Sequence, residues 1–261
     1  MTRKIGLAAL TVLELSPQDQ VSVAAEAGYD FVGLRLIPVA GQPHQHAIDV
    51  AAIEKRLAAT GMKVLDVEVF RLGPETRAAD FEPMLAVSAR LRASDLLVHG
   101  ADPDASRLAD NWGRLCDLAG SYGLAANLEP MPWVEVRTIA KARRILDLAP
   151  RRNSAVLVDA IHFFREANRF EDLATTQTRY LQFCDARAEK PASMEEIRRQ
   201  AREDRLFPGE GGLDLRGLLG ALPPDLPISL EVPHTGPFDA RERARRALSA
   251  TREFLLLPGV A

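Results

Sequence analysis

The sequence predicts a closed (β/α)8 TIM barrel, with a long excursion between strands 7 and 8. Three observations carry this. Eight short apolar runs alternate with helical segments at intervals of roughly thirty residues, the pattern of parallel β-α-β units. The 261 residues match the ~250 typical of such a barrel. Polar residues of a single phase close most of the runs. No Pro-, Gly- or Ser-rich linker divides residues 1–261, so the chain reads as a single domain.

In order, Lys4 to Val12 reads as the first strand. Ser16-Pro17 reads as an N-cap with proline at the first helical position, and Gln18 to Ala27 as a helix stopped by Gly28. Phe31 to Leu36 is strand two. A loop with Pro38, Gly41 and Pro43 carries His44 and His46, before a helix from Asp49 to Thr60. Strands are expected at Lys63 to Phe70, Asp95 to His99, Leu124 to Glu129, Ser154 to Asp159, Tyr180 to Asp185 and Ile228 to Val232. Helices are expected at Phe81 to Leu91, Ala105 to Tyr122, Thr138 to Leu148, Leu215 to Leu222 and Asp239 to Leu257, with a short one near Phe170 to Thr175. The excursion, Ala186 to Leu213, holds a charged helix from Ser193 to Asp204 and a Pro208-Gly209 turn. Loops of that length often cover active sites. The helix reads as a solvated face, which leaves the turn as the more informative half.

Composition narrows the function. A hydrophobic fraction of 47%, with 26% charged residues, is ordinary for a soluble globular protein. The net charge of −3 gives no basic face for nucleic acid. Met1-Thr2-Arg3-Lys4 lacks the apolar stretch of a signal peptide, and no run approaches a membrane span. Cys116 and Cys184 form no redox, metal or disulfide pattern. A cytoplasmic protein without a membrane partner is expected.

Strand parity sorts side chains into two sets. The Val- and Leu-rich set, including Val67 and Val69, belongs against the helices. The other set faces the interior and turns polar at the C-terminal ends: Arg35, Glu68, His99, Asn127, Glu129, Asp159, Gln182 and Glu231. Singly, each could be a strand end meeting solvent. Together they gather several carboxylates, which is costly without a cation. Carboxylate and amide oxygens suit Mg2+ or Mn2+ best, with Co2+ and Zn2+ as alternatives.

The strand ends resemble the xylose-isomerase-like barrels, a superfamily of sugar and sugar-phosphate isomerases and epimerases. The similarity spans nearly the whole chain. It is strongest at Asn127-Leu128-Glu129-Pro130, Asp159-Ala160-Ile161-His162, Gln182-Phe183-Cys184-Asp185, Arg205 through Gly211, and Ser229-Leu230-Glu231-Val232-Pro233. The resemblance implies Glu129, Asp159, Gln182 and Glu231 as metal ligands. It also implies Glu129 and Glu231 as the acid/base pair, His162 as a hydroxyl-binding or proton-shuttling group, and Arg205 as a substrate contact. Gln182 departs from the family's usual histidine. Its oxygen can still ligate a hard cation, and some relatives resembling dehydroshikimate and inosose dehydratases carry glutamine there.

The implied reaction is proton abstraction next to a carbonyl of a small keto sugar or sugar phosphate, giving isomerisation or epimerisation through an enediolate. The alternative is dehydration of a cyclic keto-polyol, towards which Gln182 leans. Glu68, His99 and Arg35 are interior candidates for substrate contact. Arg35 or Arg205 could take a phosphate or a carboxylate; Gly209 to Gly212 lacks the Lys-Ser/Thr of a P-loop. Trp133 could wall the pocket; His44 and His46 read as loop histidines spaced to face one side of an extended loop, and His234 follows the last strand closely as an extra candidate. An abasic-site endonuclease would carry many more than five histidines. A non-catalytic barrel would not need an intact ligand quartet. A small polyol or keto-sugar partner is expected, and a homodimer is the default assembly.

Overall fold

A computed structural model describes residues 3–39 and 41–257; Met1 and Thr2, in the N-terminal stretch read above, lie outside them. Nine parallel strands form a nearly closed barrel with helices between them. The strands are β1 (Ile5–Leu7), β2 (Phe31–Arg35), β3 (Lys63–Leu72), β4 (Asp95–Gly100), β5 (Ala125–Glu129), β6 (Ser154–Val156), β7 (Val158–Asp159), β8 (Leu181–Phe183) and β9 (Ile228–Leu230). Their order is β6-β5-β4-β3-β2-β1-β9-β8-β7, and β1 pairs with β9. β6 and β7 divide the expected sixth strand at Leu157: the first piece pairs with β5 and the second with β8. The Leu157 N–H donates to Leu128 O at 3.0 Å, so the ring passes through the break. Nine segments thus make the eight staves expected.

Local chemistry explains most helix bounds. α2 (Val50–Thr60), α4 (Ala105–Ser121), α7 (Met194–Glu203) and α9 (Ala240–Leu255) are capped by the side chains of Asp49, Asp104, Ser193 and Asp239 respectively, each accepting a backbone N–H of the first turn. α1 (Pro17–Ala27) starts on proline as expected, but Ser16 makes no cap. Its hydroxyl donates to Asp19 Oδ2 at 2.6 Å instead. Gly28 closes α1 at φ 88°, a conformation that side chains with a Cβ resist.

Three expectations fail for identifiable reasons. The first strand stops at Leu7, and Ala9–Val12 turns into a 3-10 helix. Thr11 causes the turn: its hydroxyl donates to Leu230 O at 2.7 Å and accepts from Val232 N at 2.8 Å, so the side chain replaces the strand ladder. After Asp159 a helix, α6 (Ala160–Arg165), follows at once, while Phe170–Asp172 forms only a 3-10 turn. In β3 the strict alternation breaks, because the register shifts against β2 between Val64 and Val67 and against β4 between Val67 and Phe70. Glu68 still faces inward. Val69, expected outside, packs with Leu65, Leu97, Leu157 and Tyr180 in a small interior cluster. The larger apolar core lies between the strands and the helices.

Candidate active site

The C-terminal ends of the strands surround a cavity of about 420 Å3 lined by Arg35, Glu68, His99, Glu129, Trp133, His162, Arg205 and Glu231, among others. A larger groove of about 680 Å3 runs by Phe31, Leu57, Met62 and Arg90, and none of the expected site residues lines it. Chemistry rather than volume therefore selects the first. The interior apolar cluster closes its floor, since Val69 and Leu97 belong to both.

Glu129 ends β5 and is buried. His99, one strand over and in register with it, places Nε2 2.8 Å from Glu129 Oε2. Asp159 ends β7 and caps α6, accepting the His162 N–H at 3.0 Å. That cap positions His162, whose Nε2 lies 3.7 Å from Glu129 Oε1 and whose ring meets Trp133 edge-on at 4.9 Å. Glu129, Asp159 and His162 each offer a donor atom, all within 4.8 Å of one another.

Arg205 joins the other side. It follows α7, and its guanidinium lies 2.6 Å from Asp159 Oδ2 and 2.6 Å from Glu231 Oε2. Its Nε donates to Ala201 O at 2.7 Å. Gln182 donates to Glu231 Oε1 at 3.0 Å, and the Gln182 amide oxygen is buried without a partner. Of the expected quartet, Glu129 and Glu231 line the cavity, while Asp159 and Gln182 sit behind it. Arg35 donates to Glu68 at 2.7 Å and also contacts Gln42.

Arg35 and Arg205 were the expected anion binders. Both are already committed to carboxylates, so the structure does not leave them free for a phosphate or carboxylate. Asn127, expected among the converging residues, lies deeper and donates to Asp95 Oδ1 at 2.9 Å. His46 bonds Leu13 O at 3.1 Å, while His44 and His234 line a neighbouring cavity. Cys184 is a packed thiol, and burial pushes it up to about 12. The Pro208-Gly209 turn is a structural knot. Asp185 accepts the N–H groups of Gly209, Gly211 and Leu213, and a Cβ at Gly211 would collide with Asp185 and the Ala186 carbonyl.

The charged helix proved more informative. Arg198, Ala201 and Arg202 of α7 line the cavity, and Arg71 of β3 joins them; parity reasoning missed all of these. The signal was present: positions 198 and 202 stand at the i, i+4 spacing of one helix face.

Electrostatics give the site its character. Glu68, Glu129, Asp159 and Glu231 gather four carboxyl groups, of which Glu68 pairs with Arg35 while Asp159 and Glu231 share Arg205. The imidazoles are neutral: burial lowers His99 to about 3 with help from Arg35, and burial lowers His162 to about 4. Burial and the nearby Asp159 push Glu129 well above the usual carboxylate range. Burial also pushes Glu231 up, although Arg205 opposes it. Burial tends to raise Asp159 too, but Arg205 and His162 outweigh it and hold it low.

These residues fit a divalent cation. The oxygen donors are hard, Glu129, Asp159 and His162 bring donor atoms within 4.8 Å of one another, and an amide oxygen and the His162 Nδ1 are buried and unpartnered. Glu129, Asp159, Gln182 and Glu231, with His162 beside them, are the residues that would hold it.

Residues 21–254 match the family described as xylose isomerase-like TIM barrel. The chain belongs to that family. It is 29% identical over 157 residues to a 3-dehydroshikimate dehydratase of Pseudomonas aeruginosa, a stretch that spans 58% of this chain and 24% of that protein. The chain therefore spans about a quarter of the curated relative it matches. Among solved structures, it resembles the IolI protein with a bound zinc atom (TM-score 0.79, 20% identity, 97% of this chain and 98% of the other). It also resembles a xylose isomerase-like TIM barrel/4-hydroxyphenylpyruvate dioxygenase fusion protein (TM-score 0.81, 18% identity), covering 100% of this chain and 46% of the other. A third is D-allulose 3-epimerase from Methylomonas sp. in complex with D-allulose (TM-score 0.72, 19% identity, 96% of each chain). At these identities the structural likeness establishes the fold. No helix among the described residues is long and apolar enough to cross a membrane.

Proposed function

We propose that this protein is a metal-dependent dehydratase of a small cyclic keto-polyol. Gln182 carries the reading. By the resemblance described above it replaces the superfamily's usual histidine, as in some dehydratase-like relatives, and its amide oxygen is buried and unpartnered. The identity to a 3-dehydroshikimate dehydratase points the same way.

A divalent cation held at this site would lower the cost of negative charge developing on the substrate's carbonyl oxygen. The protein's own groups handle the proton. Glu129 at the end of β5 and Glu231 just past β9 both line the cavity, and in this reading one of them takes the proton from the carbon beside the carbonyl. The electron pair of that C–H bond forms the new C=C bond, and the β-hydroxyl leaves with the C–O electron pair and takes the abstracted proton back from that carboxyl, departing as water. His162, neutral and held in place by Asp159 and Trp133, hydrogen-bonds a substrate hydroxyl. His99 orients Glu129, and the Arg35–Glu68 pair shapes the wall where a further hydroxyl is read.

Epimerisation or isomerisation of a keto sugar shares the first step, and the structural likeness to D-allulose 3-epimerase favours it as the second reading. The two differ in the fate of the carbanion. Protein stripped of metal and reloaded with Mg2+ or Mn2+ is incubated in D2O with ketoses and cyclic keto acids, and products are read by NMR. Dehydration predicts loss of water from the cyclic keto acids. Deuterium incorporation with a change of configuration, and no elimination, would replace this reading by the second.

A further inference from the structure

The mouth of the cavity carries three arginines that pair with no carboxylate among the described residues. Arg71 is on β3; Arg198 and Arg202 are one turn apart on α7, and all three line the cavity. Arg198 and Arg202 both lie over the Trp133 ring, at 5.8 Å and 5.9 Å from its centroid, and Trp133 in turn abuts His162. The ring therefore lies between both guanidiniums and the reacting groups.

Their neighbour on the same helix behaves differently. Arg199 points away from the cavity and makes ion pairs with Glu196 at 2.6 Å and Asp204 at 3.1 Å. A merely solvated basic helix would have no reason to pair its outer arginine and leave the inner two without a counter-charge. Arg202 is held below its ordinary value, by burial first and then by the charges of Arg198 and Arg35. Like charges gathered beside an apolar ring are unfavourable alone and become favourable once an anion sits among them. Arg35 and Arg205 cannot serve, since carboxylates of the protein already hold them.

We infer that Arg198 and Arg202, with Arg71 across the mouth, form an oxyanion subsite, so that the substrate carries a carboxylate or phosphate at the end remote from the reacting carbon. This rests on the dehydratase reading for its choice of a carboxylate, since a cyclic keto acid bears one where a free ketose bears no charge. Planar carboxylates suit the forked guanidinium donors.

Calorimetry on Mg2+-loaded protein tests it with two pairs of probes that differ in one charged group: 3,4-dihydroxybenzoate against catechol, and D-ribulose 5-phosphate against D-ribulose. The subsite predicts at least about a tenfold preference for the charged member of one pair. In the Arg198→Gln/Arg202→Gln double variant that preference falls to within about twofold, with affinity for the neutral member unchanged. Arg199→Gln, on the outer face, keeps it. An arginine-dependent preference in the first pair supports both the subsite and the dehydratase reading. If it appears in the phosphate pair alone, the subsite stands and the dehydratase reading falls. No preference in the wild type, or one that survives in the double variant, overturns the subsite.

Discussion

Asp159 accepts the backbone N–H of His162 at 3.0 Å, so one carboxylate both ends a barrel strand and starts the helix that aims the imidazole. The apolar run Val156-Leu157-Val158 stops at a charged residue because that residue has two duties. Asp159→Asn keeps an oxygen for the cap but turns its NH2 towards Arg205 in place of Oδ2, so it should lose less stability than Asp159→Ala, with metal affinity lowered at least about tenfold. Asp159→Ala loses the cap as well, worth about 1 kcal/mol, and strips Arg205 of a partner. Urea melts and metal titrations of the two variants separate these effects. Equal metal binding in Asp159→Asn and wild type would remove Asp159 from the ligand set.

Arg205 is the counter-charge of the site in the absence of a cation. Its guanidinium bridges Asp159 and Glu231, fully buried. Arg205→Met leaves both carboxylates buried without it, and the metal-free variant should lose about 3–5 kcal/mol of stability. Saturating Mg2+ should recover part of that loss, because the cation restores positive charge to the same carboxylates. The midpoint of thermal unfolding with and without Mg2+ reports it. An unchanged midpoint in the metal-free variant would contradict the bridging role.

The raised carboxyl of Glu129 makes a signed prediction about pH. In the metal-free protein its folded value lies above the ordinary 4.5. Above pH 4.5 the unfolded chain therefore binds fewer protons at this residue than the folded one. The stability contributed is complete below pH 4.5 and is lost as pH rises through the folded value. Glu129→Gln lacks this dependence, so its stability should gain on the wild type by up to about 1.4 kcal/mol per pH unit above 4.5. Urea unfolding at a series of pH values checks the sign. A difference that stays flat would mean that Glu129 is already ionised when the site is empty.

The same protons must leave when a cation binds. Glu129 and Glu231 both hold theirs more tightly than free carboxylates do, so metal affinity should rise with pH and binding should release protons. Titration calorimetry in buffers of different ionisation enthalpy measures the number released. Zero release at neutral pH, with affinity independent of pH, would contradict the charge assignment.

Much of this was legible in the sequence. Glu129, Asp159, Gln182 and Glu231 each end an apolar run, and strand parity turned them inward together because a parallel barrel repeats one geometry. Legibility failed where a side chain overrode the period. Thr11 bonds the last strand and curls the first into a 3-10 turn. The two register shifts in β3 turned Val69 inward, and nothing in the run Val67-Glu68-Val69-Phe70 marks them. Parity could not reach Arg198 and Arg202 at all, since their approach to the cavity depends on how α7 folds back over Trp133. Their i, i+4 spacing held the information, but which helix face meets the barrel is a tertiary fact.

In the proposed site Glu129, Asp159, Gln182 and Glu231 converge on one divalent cation. Anomalous diffraction from crystals of the protein soaked in Mn2+ tests it most directly. A single strong peak is expected within bonding distance of oxygens from all four side chains, about 2.0–2.6 Å. A peak elsewhere, or none at this site with Arg205 still spanning Asp159 and Glu231 at saturating Mn2+, would contradict it.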